Sequence, residues 1–234
     1  MNSSEYTSPR SRPPTSIATP MVFVVDDDVS VRESLELLIR CAGWQPKVSA
    51  SAEEFLAIPR VFTPSCLLLD VNLPNINGLD LQRLIADRAE LPIIFITGHG
   101  DVPMTVQAMK AGAVEFLTKP FVGEVLLSAV RHALTRSQTV LRHEAQLIVL
   151  RDRYMSLSLR EREVMALVVA GRLNKQVAGE LGISEITVKQ HRGRMMRKMK
   201  ADSLAHLVNI AAGLCIASEQ DGLRTRDGCS PAFA

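Results

Sequence analysis

The sequence predicts two folded regions of different class: an α/β region built on a five-stranded parallel sheet, then an all-α region of four helices. Three observations carry this. Between residues 21 and 135, short apolar runs alternate five times with helical patterns, and strands each followed by a helix make a parallel sheet with right-handed crossovers. Residues 157–217 instead show apolar stripes at helical spacing, opened by capping residues and closed by glycines. Charge divides the same way: nine Lys and Arg face fourteen Asp and Glu in 21–135, against twelve and six in 151–217. An acidic front and a basic back point to different partners, the second a polyanion. At 234 residues, the chain is long enough for each region to bury a core of its own.

Residues 1–20 are rich in Ser, Thr and Pro and predict a disordered arm. Met21–Val25 is the first strand, followed by a helix through Leu35, Leu38 and Ile39. A weaker strand, Gln45–Val48, precedes a short helix around Phe55. The Cys66–Asp70 strand leads to a helix carrying Leu79, Leu81, Leu84 and Ile85. Pro92–Thr97 is β-rich, Met104–Ala111 helical, Val114–Leu117 a strand and Gly123–Leu134 a helix, ending a region of 21–135. Residues 136–156 read as a helical linker with Leu141, Leu147 and Leu150 loosely periodic. In 157–217, Ser158 and Glu161 form a capping box, and Gly171 closes the helix they open. Asn174 caps a short helix ending at Gly182, and Ser184 caps a longer one running to about Lys200. Leu204, Leu207, Val208, Ala211 and Cys215 stripe the last helix, and 218–234 read as a flexible tail. Cys41, Cys66, Cys215 and Cys229 show no metal-ligand spacing and fit reduced thiols in a cytoplasmic protein. No run is long enough to span a membrane.

The chemistry gathers at strand ends. In CLLLDVNLPNINGL, residues 66–79, a buried strand stops at Asp70 before a loop, and in an open parallel sheet the carboxyl ends of strands are where ligands bind. An acid there is ordinarily a turn cap, and it is the other strand ends that argue otherwise. The first strand ends in Asp26, Asp27 and Asp28. Carboxylates brought beside Asp70 repel one another unless a cation is shared, and oxygen ligands around a small open site favour Mg²⁺. Thr97 and Lys119 end two further strands with a hydroxyl and an ammonium, groups suited to the oxygens of an aspartyl phosphate.

In the basic region, Lys189, Arg192, Arg194, Arg197, Lys198 and Lys200 follow Val188 with no acid among them. A solvated helix face is the common fate of such a run. Here Val188, Met195 and Met199 set an apolar stripe on one side, and the preceding helix, with Val177, Ala178 and Leu181, ends at Gly182. Helix, tight turn, helix is the layout whose second helix enters the DNA major groove.

The motifs VFVVDDD, LLLDVNLP and FITGHGDVPMTVQAMKAGAVEFLTKPF resemble a response-regulator receiver domain. With LSLREREV and GRLNKQVAGELGISEITVKQHRGRMMRKM, the chain resembles the FixJ branch of the FixJ/NarL family, whose DNA-binding part is LuxR-type. The resemblance implies a doubly wound, flavodoxin-like sheet of order 2-1-3-4-5. It implies that Asp70 accepts a phosphoryl group from a sensor histidine kinase, with Mg²⁺ on Asp27, Asp70 and the backbone carbonyl of Asn72 and with Asp26 holding a metal-bound water. Thr97 and Lys119 bind the phosphoryl oxygens, Thr97 and Phe116 form the switch, and the Lys119–Pro120 bond is cis. Such a protein is no turnover enzyme; it catalyses only its own phosphorylation and dephosphorylation at Asp70. When phosphorylated it pairs with a second copy through the face of Met104–Ala111, Val114–Leu117 and Gly123–Leu134, binds promoter DNA and has RNA polymerase as a further partner.

By the same resemblance Thr187, Lys189, Gln190 and His191 lie toward the groove, and Asn174, Lys175, Arg194 and Arg197 toward phosphates. Gly193 departs from the pattern, standing where several relatives carry a side chain able to reach DNA. The stripe from Leu204 to Cys215 divides between core and dimer contact. Two other readings use the same residues. A phosphatase with Asp70 as nucleophile wants a second carboxylate two residues on, where this chain has Asn72. A receiver serving only as an unphosphorylated docking platform leaves the set Asp26, Asp27, Asp70, Thr97 and Lys119 without a purpose.

Overall fold

A computed structural model describes residues 19–98 and 102–221. The expected arm, apart from Thr19 and Pro20, lies outside the described residues, as do the tail beyond Asp221, Cys229 and the side chain of Cys215. The chain divides between Leu141 and Arg142 into two compact units.

The first unit runs β1 (Met21–Val25), α1 (Val29–Cys41), β2 (Gln45–Ser49), α2 (Ala52–Leu56), β3 (Ser65–Asp70), α3 (Gly78–Leu84), β4 (Ile93–Thr97), α4 (Val102–Lys110), β5 (Glu115–Thr118) and the first part of α5 (Gly123–Met155), whose last residues belong to the second unit. The strands are all parallel, in the order β2-β1-β3-β4-β5. Every residue of β3 and β4 is buried, as a strand covered on both faces requires. Strand alternation sends Phe23, Val25, Leu67, Leu69, Ile93 and Phe95 into one core with Phe55, Leu81 and Ile85. Val22, Val24, Leu68, Ile94 and Ile96 enter the opposite core with Leu35, Ile39, Leu126 and Val130. Cys41 and Cys66 are free thiols.

Several element boundaries and one expected buried position differ from the sequence reading: β2 ends at Ser49, β3 begins at Ser65, and α4 spans Val102–Lys110. β4 begins at Ile93, because Pro92 has no N–H for the ladder and only its carbonyl takes part, accepting from the Leu67 N–H at 2.9 Å. β5 is displaced by one residue, with Ile94 opposite Glu115. Leu84, expected on the buried stripe of α3, is 59% exposed; Gln82 is buried beside Leu81, its Nε2 donating to the Ala108 carbonyl at 3.2 Å.

α5 runs unbroken to Met155, so residues 136–155 are helical, as expected of the linker, and continuous with the helix that begins at Gly123. Ser137 on this helix is fully buried. Its Oγ accepts from the Ser65 N–H at 3.0 Å and donates to the Glu90 carbonyl at 2.5 Å, tying the helix to the start of β3.

The second unit adds α6 (Leu159–Val169), α7 (Asn174–Leu181), α8 (Glu185–Met199) and α9 (Leu204–Asp221). α9 therefore continues past residue 217, where the sequence reading began a tail. The Ser158–Glu161 capping box is present, with Ser158 Oγ accepting from the Glu161 N–H at 3.3 Å and Glu161 Oε2 from the Ser158 N–H at 2.8 Å. Asn174 does not cap α7. It is the first helical residue; Gln176 Oε1 satisfies the preceding Leu173 N–H at 2.8 Å, and Asn174 Oδ1 is taken by Arg192 at 3.0 Å. Gly182 adopts φ 65°, the left-handed geometry that turns α7 into α8 within a few residues. Val164, Val168, Val177, Val188, Met195, Met199 and Leu207 form the centre of this core.

Candidate functional site

β3 and β4 end in Asp70 and Thr97, Asp26 and Asp27 follow β1, and Lys119 follows β5, so the order of the sheet brings the three acids, the threonine and the lysine to one carboxyl edge. Asp26 is fully buried and Asp70 nearly so, while Asp27 is exposed. One carboxylate oxygen from each lies within 4.8 Å of the other two. Lys119 Nζ donates to Asp26 Oδ2 at 2.6 Å and to Asp70 Oδ2 at 2.7 Å. The second oxygen of each buried acid is held by backbone, Asp26 Oδ1 by the Asp28 N–H at 3.0 Å and Asp70 Oδ1 by the Asn72 N–H at 2.9 Å. Neither carboxylate can rotate away without breaking a hydrogen bond, so the cluster is preorganised.

Burial raises the proton affinity of Asp26, and the bonds from Lys119 and from the Asp28 N–H only partly offset it. On Lys119 burial is the largest single influence and acts downward, yet the two carboxylates together outweigh it and hold the ammonium above its ordinary value. Among the described residues, Lys119 is the one cation whose side chain is bonded to any of these three carboxylates, and it reaches two of them. The deficit of positive charge, the oxygen-only donors and the exposed position of Asp27 fit a divalent cation, and Mg²⁺ by its preference for a few carboxylates and water.

Asp28 stands apart from this cluster. Its side chain caps α1, accepting from the Ser30 N–H at 2.8 Å, which is the ordinary use of an acid after a strand. Thr97 is buried at the end of β4, and its carbonyl accepts from the Lys119 N–H at 2.7 Å. Phe95 pairs with Phe116 across the sheet and Thr97 with Thr118, so Thr97 and Phe116 share a face. The Phe95 and Phe116 rings lie 6.1 Å apart, and Phe116 is half-buried. The Lys119–Pro120 bond is cis.

Gly78 was legible only as a helix start, and its position explains more. A Cβ there would stand 2.3 Å from the Asp70 carbonyl oxygen, while the Gly78 N–H bonds the Val71 carbonyl at 2.9 Å. α3 can begin this close to the acid-bearing strand only because the residue lacks a side chain. Arg32 was likewise missed; it donates to the Asp26 carbonyl at 2.6 Å and braces the end of β1.

In the second unit the buried side of α8 is Val188, Met195 and Met199, and its exposed residues are Glu185, Ile186, Lys189, Gln190, Gly193, Arg194, Arg197 and Lys198. Thr187 is half-buried, 2.8 Å from the hydroxyl of Ser184. His191 is half-buried too, with Nδ1 enclosed and unpartnered, so that atom faces the protein and not the solvent. Lys175 is exposed at the start of α7. Two cations of the basic run serve the fold: Arg192 bonds Asn174, and Lys198 bonds the buried Glu161 at 2.7 Å and the Ser156 carbonyl at 3.0 Å. Lys200 lies beyond the helix as its left-handed C-cap. Lys189 and Arg194 are left facing outward, with Arg197 near the Gly193 carbonyl at 3.4 Å.

Both units match known domain families. Residues 22–131 match the response regulator receiver domain, and residues 155–211 the bacterial regulatory proteins of the luxR family. Nodulation protein W of Bradyrhizobium diazoefficiens is 50% identical over 201 residues, covering 85% of this chain and 88% of that protein. The transcriptional regulatory protein FixJ of Rhizobium meliloti is 44% identical over 194 residues, covering 81% and 94%. The chain belongs to the FixJ-like response regulators. Among solved structures, the response regulator StyR matches with a TM-score of 0.75 at 46% identity, over 83% of this chain and 99% of StyR. Full-length FixJ from B. japonicum matches at 0.50 and 38%, over 84% and 97%. A FixJ-like response regulator is a two-component regulator of transcription, and its pairing of domains implies a sensor kinase and DNA as partners.

Proposed function

We propose that a sensor histidine kinase phosphorylates Asp70 and that the phosphorylated protein, as a dimer, binds promoter DNA through α8. The observation that carries this reading is Lys119 Nζ, 2.6 Å from Asp26 and 2.7 Å from Asp70 at the tips of neighbouring strands. An Asp70 oxygen attacks the phosphorus of a phosphohistidine, the P–N bond breaks, and the imidazole leaves with the bonding pair. Lys119 then exchanges its bond to the Asp70 carboxylate for one to a phosphoryl oxygen, and the Thr97 hydroxyl takes another. Asp27, Asp70 and the Asn72 carbonyl would hold Mg²⁺, with Asp26 on a bound water, and the ion would supply positive charge against the incoming phosphoryl oxygens. Turnover is stoichiometric, so the chain is a phosphoacceptor and not an enzyme acting on a separate substrate.

The phosphoryl group brings nearly two negative charges to the edge of the sheet. Drawing Thr97 toward it vacates space on the face that Phe116 shares, and the exposed face of α4 and β5 responds. Val102, Val106 and Met109 on α4 and Val122 and Val125 near the start of α5 leave apolar surface there, the material of a contact with a second copy. A dimer carries two reading helices to two half-sites of a promoter, within reach of RNA polymerase. Such work places the protein in the cytoplasm, with the DNA; no described helix is long and apolar enough to cross a membrane. Incubation with acetyl phosphate and Mg²⁺ tests the first step. Intact mass should rise by one phosphoryl group in the wild type and not in Asp70→Asn, and an unchanged wild-type mass removes the reading.

A further inference from the structure

The exposed side of α8 opens with Glu185 and carries Lys189, Gln190, Arg194 and Arg197, and two residues on it, Ile186 and Gly193, offer no polar side chain. Ile186, in the first turn, is 70% exposed and falls outside the buried stripe of Val188, Met195 and Met199. Gly193 lies seven residues on, two helical turns along the same face, with exposed Lys189, Gln190 and Arg197 around it. The fold asks for neither residue. Ile186 packs on no core cluster among the described residues, and a Cβ at Gly193 would meet nothing within 4 Å. Glycine disfavours a helix interior, and here it relieves no crowding within the protein. What it does provide is a bare stretch of helix on the side that faces outward, where another molecule can approach the backbone closely.

We propose that Ile186 reads the C5 methyl of a thymine in the DNA major groove, and that Gly193 allows it by letting α8 sit close to the base edges. The inference rests on the DNA-binding reading above and names a specificity residue within it. An isoleucine side chain has no donor or acceptor, so the base feature it can recognise is apolar, and the thymine methyl is the apolar group the major groove presents. Residues in the first turn of a reading helix face base edges, and Ile186 is in that turn. Its side chain is shorter than those of Lys189 and Arg194, so contact requires the helix to lie deep. At the closest approach of the helix to the bases, even a Cβ at residue 193 would hold the helix away. The flanking cations supply the phosphate attraction that any sequence shares, leaving the methyl contact to discriminate. Burying one methyl group corresponds to about fourfold in affinity.

The test uses the full chain, treated with acetyl phosphate and Mg²⁺, to select duplexes from a random-sequence library. Ile186→Ala and Gly193→Ala are carried through the same selection; both sites are exposed, and both variants should fold, Gly193→Ala with an equal or higher Tm. A thymine enriched by the wild type should lose its enrichment with Ile186→Ala. Replacing that thymine by deoxyuridine in the selected duplex should weaken the wild type about fourfold and leave both variants unaffected. Ile186→Ala that enriches the same thymine and keeps the deoxyuridine effect overturns the methyl contact, and Gly193→Ala that keeps the effect overturns the close approach. A wild type that enriches no sequence at all fails the DNA-binding reading itself, a different result from either.

Discussion

A single lysine between two buried acids sets the behaviour of the receiver edge. With Asp26 held above its ordinary pKa by burial, the folded state binds a proton there more tightly than the unfolded chain does. The stability this gives is full below the ordinary value of 3.8 and is lost as pH rises through the higher folded value. At neutral pH the ionised Asp26 is therefore a cost, which a divalent cation bound at the proposed site would relieve. Asp26→Asn should be more stable than the wild type in urea at pH 7 without metal, and should lose the Mg²⁺ response. For the wild type, Mg²⁺ at ten times its Kd should add about 1.4 kcal/mol. A less stable variant that still gains from Mg²⁺ contradicts this assignment. Lys119 runs the other way in pH: its contribution is full below 10.5 and is lost only above its raised folded value, so it stays charged throughout the neutral range. At Gly78 the deciding quantity is space. Gly78→Ala forces a Cβ toward the Asp70 carbonyl oxygen, 2.3 Å away before relaxation, and should cost about 1–3 kcal/mol in urea unfolding and slow phosphorylation of Asp70. Wild-type stability and rate in that variant would mean α3 can withdraw freely.

Among the elements, α8 is aimed by α6. Glu161 is buried, and the Lys198 bond, above all, holds its carboxyl below the usual glutamate range, with the Ser158 N–H adding to the effect. Its stabilisation is present above the ordinary value of 4.5 and is lost as pH falls through the lower folded value. Glu161→Gln keeps the shape and removes the charge. Because Lys198 remains part-exposed, the cost should be about 1–2 kcal/mol, below that of a fully buried pair, with DNA affinity falling alongside. Equal stability at pH 7 would show that the pair does not anchor the reading helix. This pair also marks the limit of what the sequence disclosed. Strands were legible because apolar runs end abruptly at Asp26, Asp70 and Thr97, and α6 because Ser158 and Glu161 are three residues apart. Lys198 looked like one more outward cation because its partner is 37 residues away, and Asn174 looked like a cap because Arg192 is 18 away. Local chemistry was readable, and side-chain pairing across the chain was not. Ile186 was within reach, since its phase differs from that of the buried stripe, but an isolated apolar residue gave no reason to choose it.

For the whole molecule the central claim is that one covalent event at the tips of β1, β3, β4 and β5 controls pairing of the chain and reading of DNA by α8. Two ordinary equilibria must then be linked, a receiver shape and a monomer–dimer balance, and the phosphoryl group shifts both in the same direction. Sedimentation should show the mass doubling on phosphorylation, and Asp70→Asn should stay at one chain per particle under the same treatment. The most direct measurement adds DNA to that comparison: affinity for a library-selected duplex, with and without acetyl phosphate and Mg²⁺, in the wild type and in Asp70→Asn. The account predicts tighter binding by the treated wild type alone. Equal affinity in all four samples would contradict it and leave a DNA-binding protein whose acidic edge controls nothing.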